Sequence, residues 1–171
     1  EAYIFQEGSP SCGVYRTSLK NQRLGKPLGV FGSLVLQEEL FLIPALDLES
    51  PLKWWDWRRR LHAFVWLKRK EVKIKKELYD IWHNYKFLVQ ELDRPLADQL
   101  GRDLAGLPAK TKTGDLEDMK KKVLFSIRQP STTKRIQHAA EKQMSFFCKH
   151  FNVCYPEKLP SAEQGKRKFV E

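Results

Sequence analysis

The 171 residues predict an α/β fragment, short strands plus one helix that form the end of an upstream-truncated α/β domain, followed by an all-α helical bundle. Three observations predict it. Within the first fifty residues, short β-rich runs alternate with Gly- and Pro-rich turns. After Pro51, apolar residues recur at steps of three and four. The helical stretches are punctuated by Pro95, Gly106, Pro108 and Pro130, residue types that end helices.

The elements follow in order. "AYIF" and "VYRTSL" read as strands on either side of a Ser-Pro-Ser-Cys-Gly turn at residues 9–13. "GKPLGVFGSLVLQEEL" turns from glycine-rich to helical spacing between about Leu28 and Leu40. "FLIPAL" is another strand, with Pro44 restricting it to an edge or a strand end. So few elements bury little, because below roughly 70–80 residues one core is seldom sufficient. The α/β part is therefore expected to begin before Glu1.

From Pro51 a basic amphipathic helix connects to the second half, carrying ten Lys/Arg and two acids between Lys53 and Lys76. Leu78, Ile81, Trp82, Tyr85, Leu88, Val89 and Leu92 form the next stripe, which stops before Pro95. Leu96, Leu100 and Leu104 mark a shorter helix. Leu116, Met119, Val123 and Ile127 mark another, with Asp115 as its expected cap. Ser131 or Thr132 caps the last helix, whose apolar face is Ile136, Ala140, Phe147 and Phe151. The expected organisation is thus residues 1–50, the end of an α/β domain; 51–76, the connecting helix; 77–154, the helical domain; and 155–171, a polar tail.

Charge is unevenly placed along this order. Residues 1–50 hold four Lys/Arg against six Asp/Glu, a balance of −2, and residues 51–171 hold 27 against 15, or +12. A basic half points to a polyanion such as RNA, or to a solvated helical surface. "RRR" and "KRKEVKIKK", interleaved with Trp54, Trp55, Trp57 and Trp66, combine charge with stacking surface in the manner of single-strand binders. Buried inter-helix packing explains the same tryptophans. Three cysteines, Cys12, Cys148 and Cys154, are too few for a disulfide framework, so a cytoplasmic location is expected. No apolar run approaches the roughly 20 residues of a membrane span.

The SPSCG turn carries the most chemistry. Pro10 stiffens it and Gly13 permits a positive φ after the cysteine, so Cys12 is presented beside two hydroxyls and several amides. Such donors stabilise a thiolate or a metal-bound sulfur, and a small buried cysteine is the plain alternative. The glycines of "GKPLGVFGS" could leave helix amides open to an anion near Cys12. In "WHNYK", His83 and Lys86 share a helix face and could line an anion groove or simply flank packed aromatics. Thr133 and Arg135, in "STTKR" at a helix start, could bind phosphate, or the hydroxyls could only cap. Cys148, His150 and Cys154, with His138, are the remaining soft ligands, although Cys148 and His150 point about 200° apart on a helix.

The stretch from "FQEGSPSCGVYR" through "GKPLGVFGSLVLQEELFLIPALDLESPLKWWDWRRRLHAFVW" resembles the C-terminal part of the bacterial thiouracil-desulfidase-like family. "LYDIWHNYKFLV", "LGRDLA" and "PSTTKRIQHAAEKQMSFFCKHF" are similar to the YbgA-like helical domain that often follows it. Together the resemblance reaches about Val153. It implies a [4Fe-4S] cluster held by three cysteines, with an open iron that takes sulfur from a thiolated nucleobase or related small molecule. Cys12 matches one cluster ligand and Ser9 the residue that handles the proton. Ser11 and Gly13 are expected to tune the sulfur or touch the substrate. The family's two other cluster cysteines lie before the SPSCG turn, where this sequence has none. The expected function is therefore iron–sulfur-dependent desulfidation in the complete form, this chain by itself being incomplete or inactive. The alternative is a non-catalytic basic helical module that binds RNA or another polyanion.

Overall fold

The computed structural model describes residues 2–14, 28–108 and 110–152. They are mostly helical, with two short strands, and the chain divides into two compact units at Arg58/Arg59. The proposed strand "VYRTSL", apart from Val14, and the polar tail lie outside the described residues.

In the first unit, β1 (Ala2–Phe5) and β2 (Phe41–Pro44) pair in parallel, with Ala2 opposite Phe41 and Phe5 opposite Pro44. Parallel pairing cannot be closed by a hairpin and needs a crossover. This one carries the SPSCG turn and helix α1 (Val30–Gln37). All four β2 residues are buried, the pattern of a strand covered on both faces. Pro44 ends the strand as expected. Phe5, Val14, Val35 and Leu42 form the core, with Tyr3 and Leu40 packed on it. Val30, Phe31 and Leu34 of α1 and Ile4 of β1 stay exposed.

A 3-10 helix (Ala45–Glu49) then leads into α2 (Pro51–Arg69). Asp47 secures the junction, accepting from Lys53 Nζ at 2.6 Å and from the buried Trp57 Nε1 at 2.9 Å. The Trp57 ring meets Phe41 edge-on at 5.6 Å.

The second unit holds the rest of α2 with α3 (Lys75–Leu92), α4 (Arg94–Gly106), α5 (Thr113–Arg128) and α6 (Thr133–Phe151). The stripe expected on α5 is buried throughout, Leu116, Met119, Val123 and Ile127, whereas of that expected on α3 Leu78, Ile81, Val89 and Leu92 are buried and Trp82, Tyr85 and Leu88 only partly so. On α4 the buried set is Ala97, Leu100 and Leu104. Asp93 serves two helices, its amide closing α3 on Val89 O and its carboxylate accepting from Leu96 N at 3.0 Å to start α4.

Three expectations are corrected. The basic helix stops at Arg69, and residues 70–74 are non-helical and tied to α5. Val72 N donates to Glu117 at 3.3 Å, and the buried Lys120 donates to Lys70 O at 2.7 Å. Asp115 lies in the first turn of α5, whose cap position is Lys112. Phe147 and Phe151 of α6 are exposed and stack on each other, so that helix buries only its first half, Ile136, Ala139 and Ala140.

Buried Arg60 binds the end of α5, donating from Nη1 to Ile127 O at 3.2 Å and also to Gln129 O. Those carbonyls have no helical partner of their own, and a guanidinium satisfies them with charge-assisted bonds. Among the described residues no helix is long and apolar enough to cross a membrane.

Candidate functional site

The SPSCG turn follows β1 and is organised by the Ser9 side chain. Ser9 Oγ accepts from Cys12 N at 3.3 Å and from Ser11 N at 3.4 Å, and lies 3.2 Å from Ser11 Oγ. The backbone closes through Gly13 N to Ser9 O at 3.0 Å and Ser9 N to Gln6 O at 3.3 Å. The left-handed backbone of this stretch falls at Gly8, φ +83°, rather than at Gly13. Gly13 therefore adopts no positive φ, and the motif turns through the Gly13 N to Ser9 O bond instead.

Helix α1 locks onto this loop. Phe31 N and Gly32 N donate to Ser11 O at 2.9 and 3.1 Å, and Gly29 N donates to Gly13 O at 2.9 Å. These amides are engaged by the loop and are not left open to an anion beside Cys12. A Cβ on Gly29 would lie 2.3 Å from Ser11 O, and one on Gly32 2.3 Å from Gly13 O. Only glycine permits that approach. The sequence suggested that these glycines leave helix amides open. Their spacing, i and i+3 at a helix start, was the available signal for close packing.

Cys12 is a free, partly exposed cysteine, its sulfur 3.8 Å from Gln6 O. The Ser9 hydroxyl, then the Gln6 backbone, hold its thiol below the ordinary cysteine value, with Ser11 adding to the effect against modest desolvation. With the Ser9 oxygen facing two amides, its hydrogen is free to turn toward Ser11 or the sulfur. The thiol therefore ionises more readily than an ordinary cysteine, and the thiolate is the form that attacks electrophiles and binds metals.

A [4Fe-4S] cluster is held by several cysteine thiolates. The turn presents one, and among the described residues no three His, Cys, Asp or Glu side chains are placed to hold a metal ion. These residues fit one corner of such a cluster and do not complete it. On α6, Cys148 is free, while His150 stacks on Phe146 at 3.9 Å and binds its carbonyl through Nδ1 at 2.9 Å. Cys154 lies outside the described residues.

The other candidates do not converge on one point. His83 is exposed on α3 beside the Tyr79 ring, and Lys86 places Nζ 5.0 Å from the Phe87 ring centre. Thr133 is the exposed first residue of α6, and the capping oxygen belongs to Thr132, which accepts from Arg135 N at 3.4 Å. Arg135 Nη1 donates to Leu92 O at 2.7 Å, at the end of α3, about 13 Å along the helix from His83.

Among the tryptophans, Trp57 is core, whereas Trp54 and Trp66 are each 45% exposed. Each carries a cation: Arg58 is 5.3 Å from the Trp54 ring and Lys70 is 5.8 Å from the Trp66 ring. Compared with family models, curated proteins and solved structures, the chain matches none of them.

Proposed function

We propose that Cys12 is a thiolate ligand to an iron–sulfur centre in a desulfidase-like protein acting on a thiolated nucleobase or related small molecule. The remaining ligands would come from outside the described residues. The observation that carries this reading is the SPSCG loop itself. Its cysteine is partly exposed with a lowered pKa, on a backbone pinned by Gly29 and Gly32 at the start of α1. A packing cysteine requires none of this. In that reading the bound cluster supplies a Lewis-acidic iron for the departing sulfur. Ser9, hydrogen-bonded to Ser11 and beside the sulfur, holds or moves the proton, while Ser11 and Gly13 shape the loop.

The test is anaerobic purification of the full encoded protein, with iron and sulfide assays and visible absorption. Iron–sulfur absorption is expected in the wild type and its loss in Cys12→Ser, while Ser9→Ala keeps the chromophore and slows sulfur release. A colourless, iron-free wild type, after reconstitution as well, overturns the assignment.

A second reading, binding of RNA by the basic helices, is favoured by one observation. Trp54 and Trp66 expose indole faces with a cation over each, the combination that stacks bases and neutralises phosphates.

A further inference from the structure

The second unit contains a basic pocket that the desulfidase reading does not use. It has a volume of about 360 Å³ and lies among α3, α4 and α6. Its walls include Phe87 and Glu91 from α3, Arg94 from α4, and Arg135, His138 and Lys142 from α6. Positions 135, 138 and 142 follow helical spacing, so α6 offers one continuous basic face.

The carboxylates near it are engaged. Glu91 accepts from Arg59 Nη1 at 2.7 Å, and Asp98 accepts from Arg94 Nε at 3.1 Å. Arg135 is pinned through one nitrogen to Leu92 O, which fixes the guanidinium while leaving its other donors. Lys142 adds a second cation on the same face. Arg135 and Lys142 thus face the pocket from α6, and Arg94, which shares Nε with Asp98, keeps its Nη donors on the α4 side. That distribution suits a tetrahedral, multiply charged phosphate better than a single carboxylate.

Volume and wall chemistry narrow the ligand further. The space exceeds what a bare phosphate fills and leaves room for a group attached to it. Phe87 is 65% exposed, an aromatic surface at the same wall, with Lys86 Nζ near its ring. An aromatic face beside cations is the combination that takes a planar base and its phosphate together.

We propose that this pocket binds a nucleotide, the phosphate on Arg94, Arg135 and Lys142 and the base against Phe87. Its source is a free mononucleotide or a nucleotide of single-stranded RNA.

Calorimetric titration of the full chain tests this with uridine and adenosine 5′-monophosphates, inorganic phosphate, and a short single-stranded RNA. Saturable mononucleotide binding is expected. Lys142→Gln, at a surface position, weakens it about tenfold, the loss of one charge-assisted contact. Phe87→Ala weakens nucleotides by a similar factor and leaves inorganic phosphate unchanged, the signature of stacking. Thermal melts confirm that both variants remain folded. RNA that binds more tightly, with a steeper salt dependence, assigns the source to RNA; RNA that binds no better assigns it to free nucleotides. Absence of saturable binding by every probe up to about 10 mM overturns the proposal. Nucleotide binding indifferent to both Lys142→Gln and Phe87→Ala overturns it as well.

Discussion

Gly29 and Gly32 let the α1 backbone approach the SPSCG loop to a distance that a methyl group would block. The consequence is measurable at a single atom. Gly32→Ala places a Cβ against Gly13 O, a backbone atom that cannot rotate away, so helix and loop must part. We expect a loss of about 1–3 kcal/mol in urea unfolding, the usual cost of overpacking, despite alanine's better helix propensity. Gly114→Ala in α5, where a Cβ meets nothing within 4 Å, serves as the control and should cost nothing. Equal stability of Gly32→Ala and wild type would mean that the two backbones are not held together. The turn around Cys12 was legible in the sequence because Pro and Gly flank the cysteine. The glycines that hold it were legible only as leaving helix amides open to an anion. Sequence does not distinguish a glycine needed for φ from one needed for closeness, and here Gly8 serves the first purpose and Gly32 the second.

Helices α3 and α5 were legible over most of their length because their apolar residues follow the 3.6-residue period, fully buried on α5 and partly buried in the middle of α3. The break between α2 and α3 was not legible. "KEVKI" contains no Gly or Pro, and its non-helical backbone is held by Glu117 and Lys120, distant in sequence. One local residue does mark the restart. Glu77 Oε2 accepts from Lys73 N at 2.8 Å and from Ile74 N at 3.2 Å. This is half of a capping box, since Ile74 has no side-chain acceptor to return. Those two amides, Lys73 first, hold the Glu77 carboxyl below its ordinary value of 4.5. A carboxylate with a lowered folded value stabilises the fold above the ordinary value, and that contribution is lost as pH falls through the lowered one. In urea unfolding between about pH 3 and 7, Glu77→Gln should therefore be less stable than wild type near neutrality, with the gap closing at the acid end. A gap that stays constant with pH would assign the loss to side-chain shape rather than to the ionised carboxylate.

The whole molecule carries a net charge of +10, concentrated after residue 50, and this asymmetry was the clearest reading the sequence offered. Composition could not tell which aromatic residues accompany the charge. Folding separates them, with Trp57 committed to the core by Phe41 and Asp47 and Trp66 left half-exposed under Lys70. The pocket of Arg94, Arg135, His138 and Lys142 was illegible for a related reason, since its members sit on two helices and meet only in the folded unit. If exposed indoles and cations together engage RNA, their contributions separate by their response to salt. Binding that neutralises three to five phosphates of a single strand gives a log–log slope of about −2 to −3.5 against salt. Trp66→Ala should then weaken binding about tenfold at every salt concentration, because stacking carries no counterion release. Lys70→Gln should reduce the slope by about 0.7, because it removes one phosphate contact. A slope near zero would remove the electrostatic basis of the second reading. Trp66→Ala binding as tightly as wild type would remove its stacking basis, leaving the positive half of the chain as a solvated helical surface.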